Sequence, residues 1–166
     1  MAQAKATPGS TPSLEDVRQR IDAIDADLLR LVDERAGLAS VVRAAKAAAG
    51  DDGRLGLRPA REAALLRKLL TAPRGNATPS LVVRIWRELI GASLAVQGPF
   101  HISVWGGRDP VRVNEMARDR FGAAPPFSAA ARPEDAIAAA KTSWGVGVAA
   151  LTPDNAWWGR LLAEPK

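Results

Sequence analysis

An arginine stands in the apolar seam of a long helix. Apolar residues recur at Leu14, Val17, Ile21, Ile24, Leu28 and Leu31; the next seam position is Arg35, after which the series resumes with Leu38, Val42 and Ala45. The steps alternate three and four, the pattern of a helix packed along its length against other helices. A guanidinium in such a seam must be paired with an anion, because an unpaired buried charge is strongly unfavourable. No acidic residue occupies the seam. The partner is therefore a carboxylate from elsewhere or an anionic ligand, and the rest of the chain favours the ligand.

Ser13 followed by Asp16, after Pro12, reads as a helix start with a capping-box pattern, and the seam then runs unbroken to about Ala49. Gly50, Gly53 and Gly56, with Asp51 and Asp52, mark a loop. Pro59 suits the first turn of a second helix reaching about Ala72, which Pro73, Gly75 and Asn76 break. Thr78-Pro79 opens a third helix, closed by Gly98-Pro99. The first helix spans roughly 50 Å at the usual rise per residue. The other two are about half as long and cannot comfortably cover its seam, so the pattern predicts a dimer in which a second copy does.

From Phe100 the period changes. Phe100 to Trp105 alternates as a strand does, Gly106-Gly107 turns, and Val111 to Phe121 reads as a helix stopped by Gly122. Pro133 opens another helix through Lys141, Val146 to Leu151 reads as a buried strand, and Asn155 to Ala163 as a last short helix. The order β-α-(β)-α-β-α predicts a small parallel sheet with helices. The expected division is a disordered tail over residues 1–12, a helical domain over 13–98 and a small α/β domain over 99–166. The last is marginal as an independent core and is expected to lean on the helices or to belong to something longer.

Composition excludes several function classes. The 166 residues include no cysteine and a single histidine, His101, so a disulfide framework, a thiolate or histidine metal site and a Ser-His-Asp triad are not expected. No stretch approaches the roughly 20 apolar residues of a membrane span, and residues 1–12 lack the apolar run of a secretory signal. The expected location is the cytoplasm. The formal charge of +5 invites nucleic acid, but basic and acidic residues are interleaved, as in Arg18-Gln19-Arg20-Ile21-Asp22, which describes a solvated mixed surface.

Arg18, Arg35 and Lys46 matter most on the first helix. Arg35 and Lys46 lie within about 20° of each other around the axis and about 16 Å apart along it, so long side chains reach one ligand between them. Arg18 lies about 100° from Arg35 and some 25 Å away, and joins such a site more readily across an antiparallel dimer. Arg61 and Glu62 open the second helix. Ser93 and Gln97, four residues apart on an otherwise apolar segment of the third, share a face. Taken singly, Ser93 and Gln97 read as a polar pair at a helix end, and Lys46 as an exposed lysine.

Together these residues resemble the all-α chorismate mutase family. The resemblance is carried by Val17 to Asp25, Leu28 to Arg35, Val42 to Lys46, Arg58 to Glu62, and Ser93 with Gln97, and covers about half the chain. It implies a mainly α fold: a three-helix domain in an intertwined dimer, with antiparallel long helices and one arginine of each site supplied by the other chain. That residue is the partner subunit's Arg18. The resemblance further implies that Arg18 and Arg35 hold the substrate carboxylates with help from Arg61 and Ser93, that Lys46 and Gln97 flank the ether oxygen, and that Glu62 receives the ring hydroxyl. The position four before Glu62, often acidic in the family, is Arg58 here, which puts in doubt whether that residue enters the site.

The implied reaction, chorismate to prephenate, is a pericyclic shift within one molecule and needs no nucleophile, metal or redox cofactor. It needs a flexible dianion held in a compact conformer and donors aimed at an oxygen that gains charge as its C–O bond breaks. Residues 99–166 loosely resemble the first lobe of prephenate dehydratase in strand order and in Val146 to Pro153, but lack the glycine-rich and polar phrases of an active one. Gly145-x-Gly147 enters a strand and is not a nucleotide loop, and Trp157-Trp158 reads as packing. Two other functions compete. A non-catalytic helical sensor of an aromatic-pathway metabolite binds without turnover, and a DNA-associated protein shows steep salt dependence.

Overall fold

The computed structural model describes residues 12–50, 53 and 55–163. The tail expected over residues 1–12 lies, apart from Pro12, outside the described residues, as do Asp51 and Asp52 of the expected loop. The chain divides into two compact units, residues 1–35 and 36–166, each described by itself.

Helix α1 (Leu14–Ala48) runs through the division. It starts on the expected capping box: the Asp16 backbone N–H donates to Ser13 Oγ at 3.1 Å, and the Ser13 backbone N–H donates to Asp16 Oδ2 at 3.0 Å. The Ser13 hydroxyl, which donates to Asp16 Oδ2 at 2.7 Å, and then the Ser13 backbone N–H hold the Asp16 carboxyl below its ordinary pKa. In the first unit the seam residues Leu14, Ile21 and Leu28 are all at least half exposed, at 66%, 50% and 53%. Arg35 closes this unit as a half-buried residue, and burial lowers its guanidinium pKa.

The second unit takes the end of α1, then α2 (Pro59–Thr71), α3 (Pro79–Gln97), β1 (His101–Trp105), α4 (Pro110–Phe121), β2 (Phe127–Ala129), α5 (Pro133–Ala140), β3 (Gly145–Ala149) and a 3-10 helix (Trp157–Ala163). Helices α2, α3 and α5 begin with the prolines that the sequence marks for them, α4 begins at Pro110, one residue before the expected Val111, and Thr78 caps α3 by accepting from the Leu81 N–H. The sheet is parallel in the order β2-β1-β3, with Ile102 opposite both Phe127 and Val146. The final helix is 3-10 rather than α and starts at Trp157, not Asn155. Trp157 donates its indole N–H to the Ala150 carbonyl at 2.7 Å, which ties that segment to the end of β3.

The core crosses the boundary expected at 98/99. Leu94 of α3 packs with Phe100, Ile102 and Val104 of the β1 segment and Ala117 of α4. Phe100 and Ile102 are essentially inaccessible, burial that stabilises by about 2 kcal/mol for each side chain. Gly91 lets α3 and α4 meet, since a Cβ there would run into the Phe121 carbonyl. Gly145 and Gly147 do the same for β3 beneath α5, whose Ala139 and Ala136 carbonyls occupy the place a side chain would take. The glycine pair is a packing device. Among the described residues no helix is long and apolar enough to cross a membrane.

Candidate active site

Lys46 sits in the last turn of α1, where the helix dipole favours a cation. It is half buried, and its Nζ donates to Gln97 Oε1 at 2.9 Å. Gln97 is the last residue of α3, and its Nε2 donates to the Ser93 carbonyl at 3.0 Å. That second bond fixes the amide so that its oxygen faces Lys46. An ammonium carries three donors and a primary amide two. Each group has spent one, so the pair retains donors for an oxygen placed beside it.

The loop before α2 closes on this pair. A Cβ on Gly56 would collide with the Lys46 ammonium and lie 3.6 Å from Gln97 Oε1. The loop is held in place from both sides. Leu55 donates its backbone N–H to the Ser143 carbonyl at 2.7 Å, and Leu55 and Leu57 pack on the core. In the sequence Gly56 reads only as one of three loop glycines. Gly56→Ala is expected to displace the flexible end of Lys46 rather than any backbone. Thermal melts should then change by a few degrees at most, while kcat falls by about tenfold through misplacement of the Lys46 ammonium. Unchanged kcat would show that the loop does not set the position of Lys46.

Glu62 lies in the first turn of α2 and is buried, at 8% exposure. Its Oε2 receives Arg87 Nη1 from α3 and Arg120 Nη1 from α4, both at 2.9 Å. Burial first, and then the neighbouring Arg120 cation, hold the Arg87 guanidinium below its ordinary pKa, while Glu62 pulls the other way. Sequence reasoning missed both arginines, because charges on helices read as surface until packing brings them to a common carboxylate.

Of the remaining expected site residues, Ser93 is half buried and donates its hydroxyl to the Leu89 carbonyl one turn back, at 2.7 Å. Arg61 is exposed on α2, and Arg58 is exposed at the position preceding that helix. Arg18, exposed, and Arg35, half buried, belong to the other unit. The second unit thus brings Lys46, Gln97 and Ser93 into one chain of hydrogen bonds and Glu62 into an ion cluster with two arginines.

Comparison with known proteins gives matches to the helical segment. Residues 17–98 match the family profile described as Chorismate mutase type II. The chain is 36% identical over 89 residues to a bifunctional chorismate mutase/prephenate dehydratase of Neisseria gonorrhoeae, covering 54% of this chain and 23% of that protein. It is 33% identical over 95 residues to a protein of the same name from Pseudomonas aeruginosa, covering 56% of this chain and 26% of the other. The match therefore spans about a quarter of the length of these relatives. No solved structure gives a significant match.

Proposed function

We propose, from the match of residues 17–98 to the type II chorismate mutase family, that the chain converts chorismate to prephenate in the cytoplasm. The observation that carries the proposal is the Lys46–Gln97 pair, an ammonium and an amide held at 2.9 Å with donors to spare. In the rearrangement the ether C–O bond breaks as a C–C bond forms within the same molecule. No proton, electron or group leaves. What the protein supplies is conformation and charge. Lys46 and Gln97 donate to the ether oxygen as its negative charge grows, a contribution worth more in a site shielded from water. Arg35 and the partner subunit's Arg18 grip the two carboxylates, whose geometry matches the planar guanidinium fork. Arg61 assists at the carboxylates, as does Ser93 once its hydroxyl turns from Leu89. Glu62 accepts the ring hydroxyl.

The shared site requires a homodimer, and the exposed seam of α1 supplies an apolar surface for it. Residues 99–166 we read as a reduced prephenate dehydratase-like lobe that supports the helices and does not itself catalyse dehydration.

Gln97→Glu tests the placement of the amide. A carboxylate there repels the developing charge on the ether oxygen and also engages Lys46, so activity at neutral pH should be low. Protonation removes both effects and restores a donor. Activity of the variant should therefore rise as pH falls through the carboxyl's pKa, while wild type changes little. A variant with near-normal kcat and a flat profile would place Gln97 away from the ether oxygen. The competing sensor reading predicts chorismate binding without its consumption.

A further inference from the structure

Two cations meet on a single oxygen of Glu62. Arg87 Nη1 donates to Oε2 at 2.9 Å, and Arg120 Nη1 forms an ion pair with the same oxygen at 2.9 Å. An ionised carboxylate has roughly four acceptor positions, so one oxygen is occupied while the other retains capacity. The two cations come from different helices, α3 and α4, and together they restrict rotation of the carboxylate as neither does alone. Arg120 is itself held. Its guanidinium lies 4.8 Å from the Phe121 ring centroid, and Phe121 packs edge-on against Phe100 at 6.1 Å. As stability devices, buried ion clusters of this kind are poor, since their desolvation cost rivals their attraction. Their better use is to fix an orientation.

We propose that Arg120, which lies beyond the segment matching the family, is a positioning residue for the rearrangement. With Arg87 it pins Oε2 of Glu62 so that Oε1 is set to accept the substrate's ring hydroxyl. The role rests on the mutase reading of Glu62, and it gives residues 99–166 a task in catalysis: α4 carries the residue that orients a binding group on α2. Because the hydroxyl is not a reacting atom, its contact is made in both ground and transition states. Loss of the contact therefore raises KM more than it lowers kcat.

The test is steady-state chorismate turnover by the full chain as wild type, Arg120→Ala, Arg120→Gln, Arg120→Lys, Glu62→Gln and the Arg120→Ala/Glu62→Gln double variant, each with a thermal melt. Arg120→Ala should raise KM about tenfold with kcat within about threefold of wild type, and Arg120→Lys should recover most of the loss by restoring a cation at Oε2. In the Glu62→Gln background the alanine substitution should add less than about twofold, because the two residues act through one contact. If Arg120→Ala does not fold, Arg120→Gln carries the same comparison. Wild-type turnover with an unchanged KM in the Ala or Gln variant overturns the positioning role alone. So does an equal, independent loss in the Glu62→Gln background. A folded wild-type chain that does not consume chorismate overturns the mutase reading and this role with it.

Discussion

Lys46→Ala is expected to lower kcat by about 10²-fold or more while KM changes little, by analogy with removal of one oxyanion donor. In the proposed mechanism the ammonium meets the ether oxygen fully only when the C–O bond is breaking, so its contribution is larger in the transition state than in the bound substrate. The fold should survive. Lys46 is half buried at a helix end, and among the described residues its side-chain bond is the one to Gln97 Oε1. Without Lys46 that amide oxygen loses its donor, so the remaining Gln97 contact weakens too, and the double variant with Gln97→Ala should lose less than the product of the single losses. Lys46→Ala with wild-type kcat would remove the ammonium from the mechanism.

The second large effect is a rescue. Arg18→Ala and Lys46→Ala chains should each be nearly inactive alone, and equal amounts allowed to exchange subunits should recover about a quarter of wild-type activity. Half of the dimers are then mixed, and each mixed dimer has one site in which Lys46 of one chain meets the partner subunit's Arg18. The other site carries both defects. A mixture that stays inactive after exchange has been verified by mass would place Arg18 in its own chain's site or outside catalysis. Arg35→Ala should behave like Arg18→Ala in turnover, but the proposed site takes Arg35 and Lys46 from one chain. A mixture of Arg35→Ala and Lys46→Ala should therefore stay inactive.

What could be read from the sequence follows the range of the forces involved. Helix starts were legible because proline and small polar residues act locally: Ser13 with Asp16, Pro59 and Pro79 stand where the sequence puts them. The parallel β-α-β order was legible from a change of period. The short strand Phe127–Ala129 was only an option, because three residues after two prolines carry little alternation and its place is set by pairing with β1. The boundary at Gly98-Pro99 breaks a helix without dividing a core, since the apolar faces of Leu94 and Phe100 find each other across it. In the site, Lys46 and Gln97 were nameable through resemblance, but their meeting across 51 positions is tertiary. Gly56 is a matter of the same kind, because only packing shows which side chain fills the space its missing Cβ leaves. Arg87 and Arg120 carried no local signal at all. Helical arginines are ordinarily solvated, and only the approach of α2, α3 and α4 turns these two toward Glu62.

The central claim is that this chain, by itself, rearranges chorismate. The direct measurement is to incubate the purified protein with chorismate in a chelator, without added cofactor, follow the loss of chorismate ultraviolet absorbance, and identify the product by proton NMR. The account predicts stoichiometric conversion to prephenate at a rate that scales with protein and that Lys46→Ala reduces about 10²-fold. Chorismate that binds to the folded protein but is recovered unchanged would contradict it.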